Sequence, residues 1–84
     1  MHANDKRFFL AQKSPGSESF AELRIFWFDL LQGWSWQING MTKDGHFFQM
    51  RCAANGCWAI WQAAKEAGEK YYKFEQTRYP DVLP

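Results

Sequence analysis

The sequence predicts an α+β fold: a three-stranded antiparallel meander with one C-terminal helix packed on one face, in two layers. Three observations carry that expectation. Polar and apolar residues alternate through Trp34-Ser-Trp-Gln-Ile38 and again from His46 to Cys52, the period of half-buried strands. The turn-forming groups Asn39-Gly40, Lys43-Asp44-Gly45 and Asn55-Gly56 punctuate the chain between them. The alanine-rich stretch after Asn55-Gly56 returns its apolar residues at helical spacing.

Taken in order, the N-terminal piece with Phe8, Phe9 and Leu10 reads as an extended arm or a short edge strand. It is set off by the turn-rich linker Lys13-Ser-Pro-Gly-Ser-Glu-Ser19. Residues 1–19 are therefore assigned to arm and linker, 20–79 to a single domain and 80–84 to a loose tail. Residues 20–31 admit two readings. As a helix, Ser19 and Glu22 form a capping box and Gly33 a stop. As a strand, Leu23, Ile25 and Trp27 alternate with Glu22, Arg24, Phe26 and Phe28, with β-favouring residues crowded at 25–28. The strand is preferred, with Asp29 to Gly33 as its turn. The next strand, Trp34 to Ile38, ends at the Asn39-Gly40 pair, and a hairpin loop over 43–45 leads into the strand His46–Cys52. A helix opens at Cys57 with Asn55 as N-cap, and buries Cys57, Trp58, Ile60, Trp61, Ala64 and Ala67 or Gly68. Beyond Gly68, either the helix continues to Pro80 or a further extended piece begins; the long helix is preferred.

Bulk properties limit the function. Eighty-four residues with a formal charge of +1 make one small domain with no strong field for nucleic acid or an anionic membrane. No apolar run reaches the ~18 residues of a membrane span, and the segment after Lys6-Arg7 is too short for a signal-peptide core, so a cytoplasmic chain is expected. Cys52 and Cys57 are expected to be reduced, small and buried. With His2 and His46 as the histidines, a four-ligand metal site would need every such residue in the chain, so neither metal nor cofactor is expected. The carboxylates scatter over turns and the outer helix. Glu66 with Lys70 and Glu69 with Lys73 read as solvated helix pairs, and no nucleophile or phosphate-loop motif occurs. The expectation is a protein that is not an enzyme.

Sixteen aromatic residues against nine of Leu, Ile and Val point instead to a surface. If Leu23, Ile25, Trp27, Trp34, Trp36, Ile38, Phe48, Met50 and Cys52 face the helix, then Arg24, Phe26, Phe28, Gln37, Phe47, Gln49 and Arg51 face away. One helix covers one face of a sheet. The other carries phenylalanines flanked by arginines, a composition enriched at protein interfaces. Three occupants suit it: the N-terminal arm folded back through Phe8, Phe9 and Leu10, a protein partner (a second copy included), or single-stranded nucleic acid stacked on the rings.

The layout Ile25-Phe-Trp-Phe, Gly33-Trp-Ser-Trp-Gln-Ile, Lys43-Asp-Gly-His-Phe-Phe, then Asn55-Gly and the alanine-rich helix resembles small bacterial and phage proteins built as a βββα unit. Some phage anti-CRISPR proteins are similar in size and architecture. The resemblance covers roughly residues 21–75 and rests on spacing and on the Gly33-Trp-x-Trp strand. It implies a protein that acts by occupying a surface of a larger host complex, a defence or regulatory one, without chemistry of its own. No functional residue carries over from it.

Overall fold

A computed structural model describes residues 5–12, 16, 18–53 and 56–84. Four strands and one helix follow the chain in the order β1 (Lys6–Ala11), β2 (Phe20–Phe28), β3 (Gly33–Met41), β4 (Phe47–Arg51) and α1 (Trp61–Arg78). The strands form one antiparallel sheet in the order β1-β2-β3-β4. The fold class is thus α+β with a C-terminal helix, as the patterning predicts, but the sheet has four strands rather than three. Residues 20–28 are strand, not helix.

The fourth strand is the N-terminal piece. β1 pairs with β2 at Lys6↔Ile25, Arg7↔Arg24, Phe8↔Leu23 and Phe9↔Glu22, with a register shift between Phe9 and Ala11. It does not fold over the second face of the sheet. The physical reason is hydrogen bonding: in a three-stranded meander the outer backbone groups of β2 beside the buried Leu23 and Ile25 would lack partners, and β1 supplies them. Parity then sends Phe8 and Leu10 to the core and Phe9 to the other side. Phe8 stacks on Trp61, with centroids 6.1 Å apart and 14° between planes, and this ties the edge strand to the start of the helix. Within the 13–19 linker, Lys13 to Pro15 and Ser17 lie outside the described residues.

The Asn39-Gly40 pair is not a turn. β3 runs through it to Met41, and the turn falls at 43–45, where the Thr42 N–H donates to His46 O at 2.7 Å and the Gly45 N–H to Thr42 O at 3.0 Å. Gly40 sits opposite Phe48, whose ring lies where a side chain on residue 40 would go. Glycine here marks close approach, not chain reversal. The buried Thr42 hydroxyl accepts from the His46 N–H at 2.9 Å and donates to the Asp44 carboxylate. That hydrogen bond holds the Asp44 carboxyl below its usual range.

The helix starts at Trp61, four residues later than the sequence suggests, with Ile60 as N-cap and no side-chain cap. Asn55, the expected cap, lies outside the described residues. Trp58 is held extended: its N–H donates to Trp34 O at 2.9 Å and its carbonyl accepts from the Trp34 N–H at 2.8 Å. Backbone committed to β3 cannot also form a helical turn, so Cys57 and Ile60 are exposed rather than part of the buried stripe. That stripe is Ala64, Gly68 and Tyr72, spaced at i, i+4 and i+8. It lies over Ala21, Leu23, Ile25, Trp36 and Ile38, the centre of the core.

The last residues are not a loose tail. Leu83 is buried in the core, and the Leu83 N–H donates to Tyr79 O at 3.0 Å. Lys43 grips the segment from the hairpin, donating through its N–H to Val82 O and through Nζ to Pro80 O, each at 2.8 Å. The Tyr72 hydroxyl and Gln76 Nε2 both donate to Pro84 O.

Burial pushes the Tyr72 phenol from 10.0 up to about 12. Between those values the unfolded chain releases a proton that the folded chain retains, so stability is intact below pH 10 and falls as pH rises toward 12. The slope should approach 1.4 kcal/mol per pH unit, about the value for one proton. Urea midpoints measured across this window should drop in the wild type, and Tyr72→Phe should show a shallower decline. Equal declines in the two proteins would locate the titration elsewhere.

Candidate protein-binding face

Antiparallel register places side chains in rows across the sheet. On the face away from α1, one row is Arg7, Arg24, Gln37 and Arg51, and the next is Phe9, Glu22, Asn39 and Gln49. Phe26 with Ser35 and Phe28 with Gly33 lie beyond the arginine row; Phe20, Met41 and Phe47 lie at the opposite end. All seven residues singled out in the sequence, Arg24, Phe26, Phe28, Gln37, Phe47, Gln49 and Arg51, therefore share one face. They do not form one cluster. The Phe26 row and the Phe47 row are six residue steps apart along the strands, about 20 Å at 3.4 Å per residue.

The middle of the face is a hydrogen-bonded polar band. Arg24 Nε meets Asp5 Oδ2 at 2.7 Å, and Arg24 Nη1 donates to Gln37 Oε1 at 3.4 Å. Gln37 and Gln49 both donate to Asn39 Oδ1, at 3.5 and 2.9 Å, and Arg51 Nε donates to Gln49 Oε1 at 3.1 Å. Arg7 pairs with Glu22 at 3.4 Å. Charge on the band is consequently uneven. Arg7 and Arg24 are each matched by a carboxylate, whereas Arg51 makes no ion pair among the described residues.

Apolar surface flanks the band on both sides. At one end Phe26 and Phe28 lie with centroids 6.3 Å apart, and the Arg24 guanidinium stacks 4.6 Å from the Phe26 centroid. Phe26, Phe28, Leu30, Gln37 and Arg51 line a groove of about 550 Å³. Leu30, 81% exposed at the β2–β3 turn, stands at its wall. A shallower depression of about 380 Å³ at the other end is bordered by Phe20, Phe47 and Gln49, with Phe47 itself 79% exposed.

Sequence reasoning missed Leu30, Phe9 and Arg7 on this face, and left Glu22 off it although the β2 alternation sets Glu22 with Arg24. Leu30 belongs to a turn, where period carries no facing information. Arg7 and Phe9 could have been found by extending the strand alternation into 6–10, with Phe8 and Leu10 inward.

Of the cysteines and His46, only Cys52 lines the groove among the described residues. Burial pushes the Cys52 thiol up, and its Sγ lies 3.5 Å from Gly56 O. Cys57, expected to be buried, is exposed, with Sγ 3.7 Å from Leu31 O. Trp58 bridges Trp34 on the core side of β3, so alternation turns the preceding Cys57 side chain to the opposite side. His46 is exposed 3.7 Å from Asp44. No group of three His, Cys, Asp or Glu residues among those described could hold a metal ion. No described helix is long and apolar enough to cross a membrane. Comparison with protein-family models, with curated proteins and with solved structures finds no match to this chain.

Proposed function

We propose that this protein is a non-enzymatic protein-binding module whose open sheet face occludes the surface of a partner. The partner segment is an acidic, hydrophobic one. Its aromatic or aliphatic side chain fills the groove between Phe26, Phe28 and Leu30, and its carboxylate meets Arg51. The observation that carries this reading is the about 550 Å³ groove with the unmatched Arg51 guanidinium at its wall. Such a site supplies both halves of a binding hot spot, desolvated rings and a directional cation. Gln49 fixes Arg51 through Nε, which leaves the terminal nitrogens for a bidentate carboxylate. Inhibition of a host defence or regulatory complex, the activity implied by the βββα resemblance, is the most specific form of this proposal.

Single-stranded nucleic acid is the weaker reading. Two of the three arginines on the face are already paired with Glu22 and Asp5, and phosphate binding draws on unpaired cations.

Selection from a displayed random peptide library tests the reading. Enriched peptides should place Asp or Glu beside a large apolar residue. Arg51→Glu and Phe26→Ser should each weaken an enriched peptide at least about tenfold, roughly 1.4 kcal/mol, while circular dichroism stays native. Enrichment without acidic residues, or binding unchanged in both variants, would overturn it. Labelled oligothymidine should give no anisotropy change at low salt; a salt-sensitive change would favour the nucleic-acid reading instead.

A further inference from the structure

β4 is an outer strand whose free backbone groups can be assigned from the bonds at its two ends. Cys52 N donates to Trp36 O and Thr42 N to His46 O, so the bonded partners across β3 and β4 are the even-numbered residues. Alternation along an antiparallel ladder then turns the N–H and C=O groups of Phe47, Gln49 and Arg51 outward. The strand is short and carries one charge, Arg51, but no element among those described pairs with its outer side. The opposite edge, β1, carries a register shift between Phe9 and Ala11 and the adjacent charges of Lys6 and Arg7, devices that discourage pairing. β4 has neither a bulge nor a proline, and its outward-bonding residues begin with Phe47, 79% exposed.

We infer that β4 pairs with β4 of a second copy of this chain about a twofold axis at Gln49, joining two four-stranded sheets into one of eight. The register is self-complementary on every count. With Gln49 opposite its own counterpart, Phe47 lies opposite Arg51 of the other copy and Arg51 opposite Phe47. All three outward residues therefore meet outward residues, as the hydrogen-bond ladder requires. On the open face each exposed Phe47 ring receives a guanidinium, a cation–π pair made twice. On the helix face Phe48 lies opposite Met50 of the second copy, an aromatic–thioether pair made twice. Space exists there because α1 packs chiefly over β2 and β3. Slipping by two residues sets Phe47 opposite Gln49 or past the end of the strand and so loses both Phe47–Arg51 pairs, and pairing β4 with β1 would repeat without closing. A five-residue seam is small, so the dimer is reversible.

This inference concerns the sheet edge and does not rest on the peptide-binding reading of the face. Its readout, molar mass, is also separate. In sedimentation velocity the mass should rise from 9.9 kDa toward twice that value as concentration increases. Phe47→Arg sets two arginines against two arginines and should weaken association at least about tenfold. The exchange F47R/R51F rebuilds the pair in reverse and should restore it. Gln49→Pro removes an outward N–H and leaves the backbone bonds to β3 in place, losing only the side-chain bonds to Asn39 and Arg51, and should also give monomer, with circular dichroism as the check on folding. A mass of 9.9 kDa at all concentrations would overturn the inference. So would a dimer indifferent to Phe47→Arg, or one that Phe47→Arg disrupts and the exchange fails to restore.

Discussion

Gly40→Ala is expected to destabilise the fold by about 3 kcal/mol or more, an effect at the upper end for adding one methyl group. A Cβ at residue 40 would collide with the Phe20 carbonyl oxygen on β2 and come within 2.6 Å of the Phe48 ring on β4. The ring could rotate away only by giving up its stacking on Tyr72, where the centroids are 6.5 Å apart. The carbonyl belongs to the β2–β3 ladder and cannot move without breaking it. Stability of about 0.05–0.15 kcal/mol per residue gives a domain of this length roughly 4–13 kcal/mol in total, so the loss is a large share. Urea denaturation measures it. Adding Phe48→Ala separates the two contacts: the double variant should remain less stable than Phe48→Ala alone, because the clash with Phe20 persists. Equal stability of those two proteins would show that the ring, and not the backbone, sets the requirement for glycine.

The same glycine shows where the sequence stops being legible. Asn39-Gly40 has the composition of a turn, and nothing local distinguishes a glycine that reverses the chain from one that yields space to a ring eight residues away. Trp58 is a similar case, since its backbone bonds to Trp34 outweigh the helical spacing of the residues after Cys57. The sequence offers the Phe8 segment as an arm or an edge strand and does not choose between them, because what decides is the unpaired outer edge of β2, a property of the folded sheet. Leu83 carries too little pattern in the last few residues to announce its burial. Alternation, by contrast, is local and survives. The parity of Leu23, Ile25, Trp36, Ile38, Phe48 and Met50 divides β2, β3 and β4 between two faces with no knowledge of register. That suffices to list the residues of the open face. It does not show that Phe47 stands apart from Phe26 and Phe28, because distance along the face depends on where each turn falls, nor that Arg24 is neutralised by Asp5 while Arg51 is left unmatched.

Leu23→Ala is expected to cost about 3–4 kcal/mol, and its coupling to Gly68 is the sharper expectation. Leu23 is fully buried at the centre of β2, with Phe8 and Ile38 opposite it on the neighbouring strands. Truncation loses the transfer energy of its buried methyl groups and leaves a cavity beneath α1, the two contributions that make buried Leu→Ala changes cost about 2.7–5 kcal/mol in a well-packed core. Gly68 is the helix residue above it. An added Cβ there would stand 2.7 Å from Leu23 Cδ1 and 3.1 Å from the Trp36 ring. In the wild type, Gly68→Ala therefore sets overpacking of roughly 1–3 kcal/mol against a helix-propensity gain of about 1 kcal/mol, for a net loss near 1 kcal/mol. In the Leu23→Ala background the space is vacant on the Leu23 side, so the same methyl group should stabilise, filling part of the cavity while keeping the propensity gain. The sign of one substitution thus reverses with its neighbour, a coupling of about 1–3 kcal/mol in a double-mutant cycle read from urea midpoints. Additive effects would mean that Trp36, which remains in both backgrounds, sets the closeness of helix and sheet at Gly68, and that Leu23 only fills the space beside it.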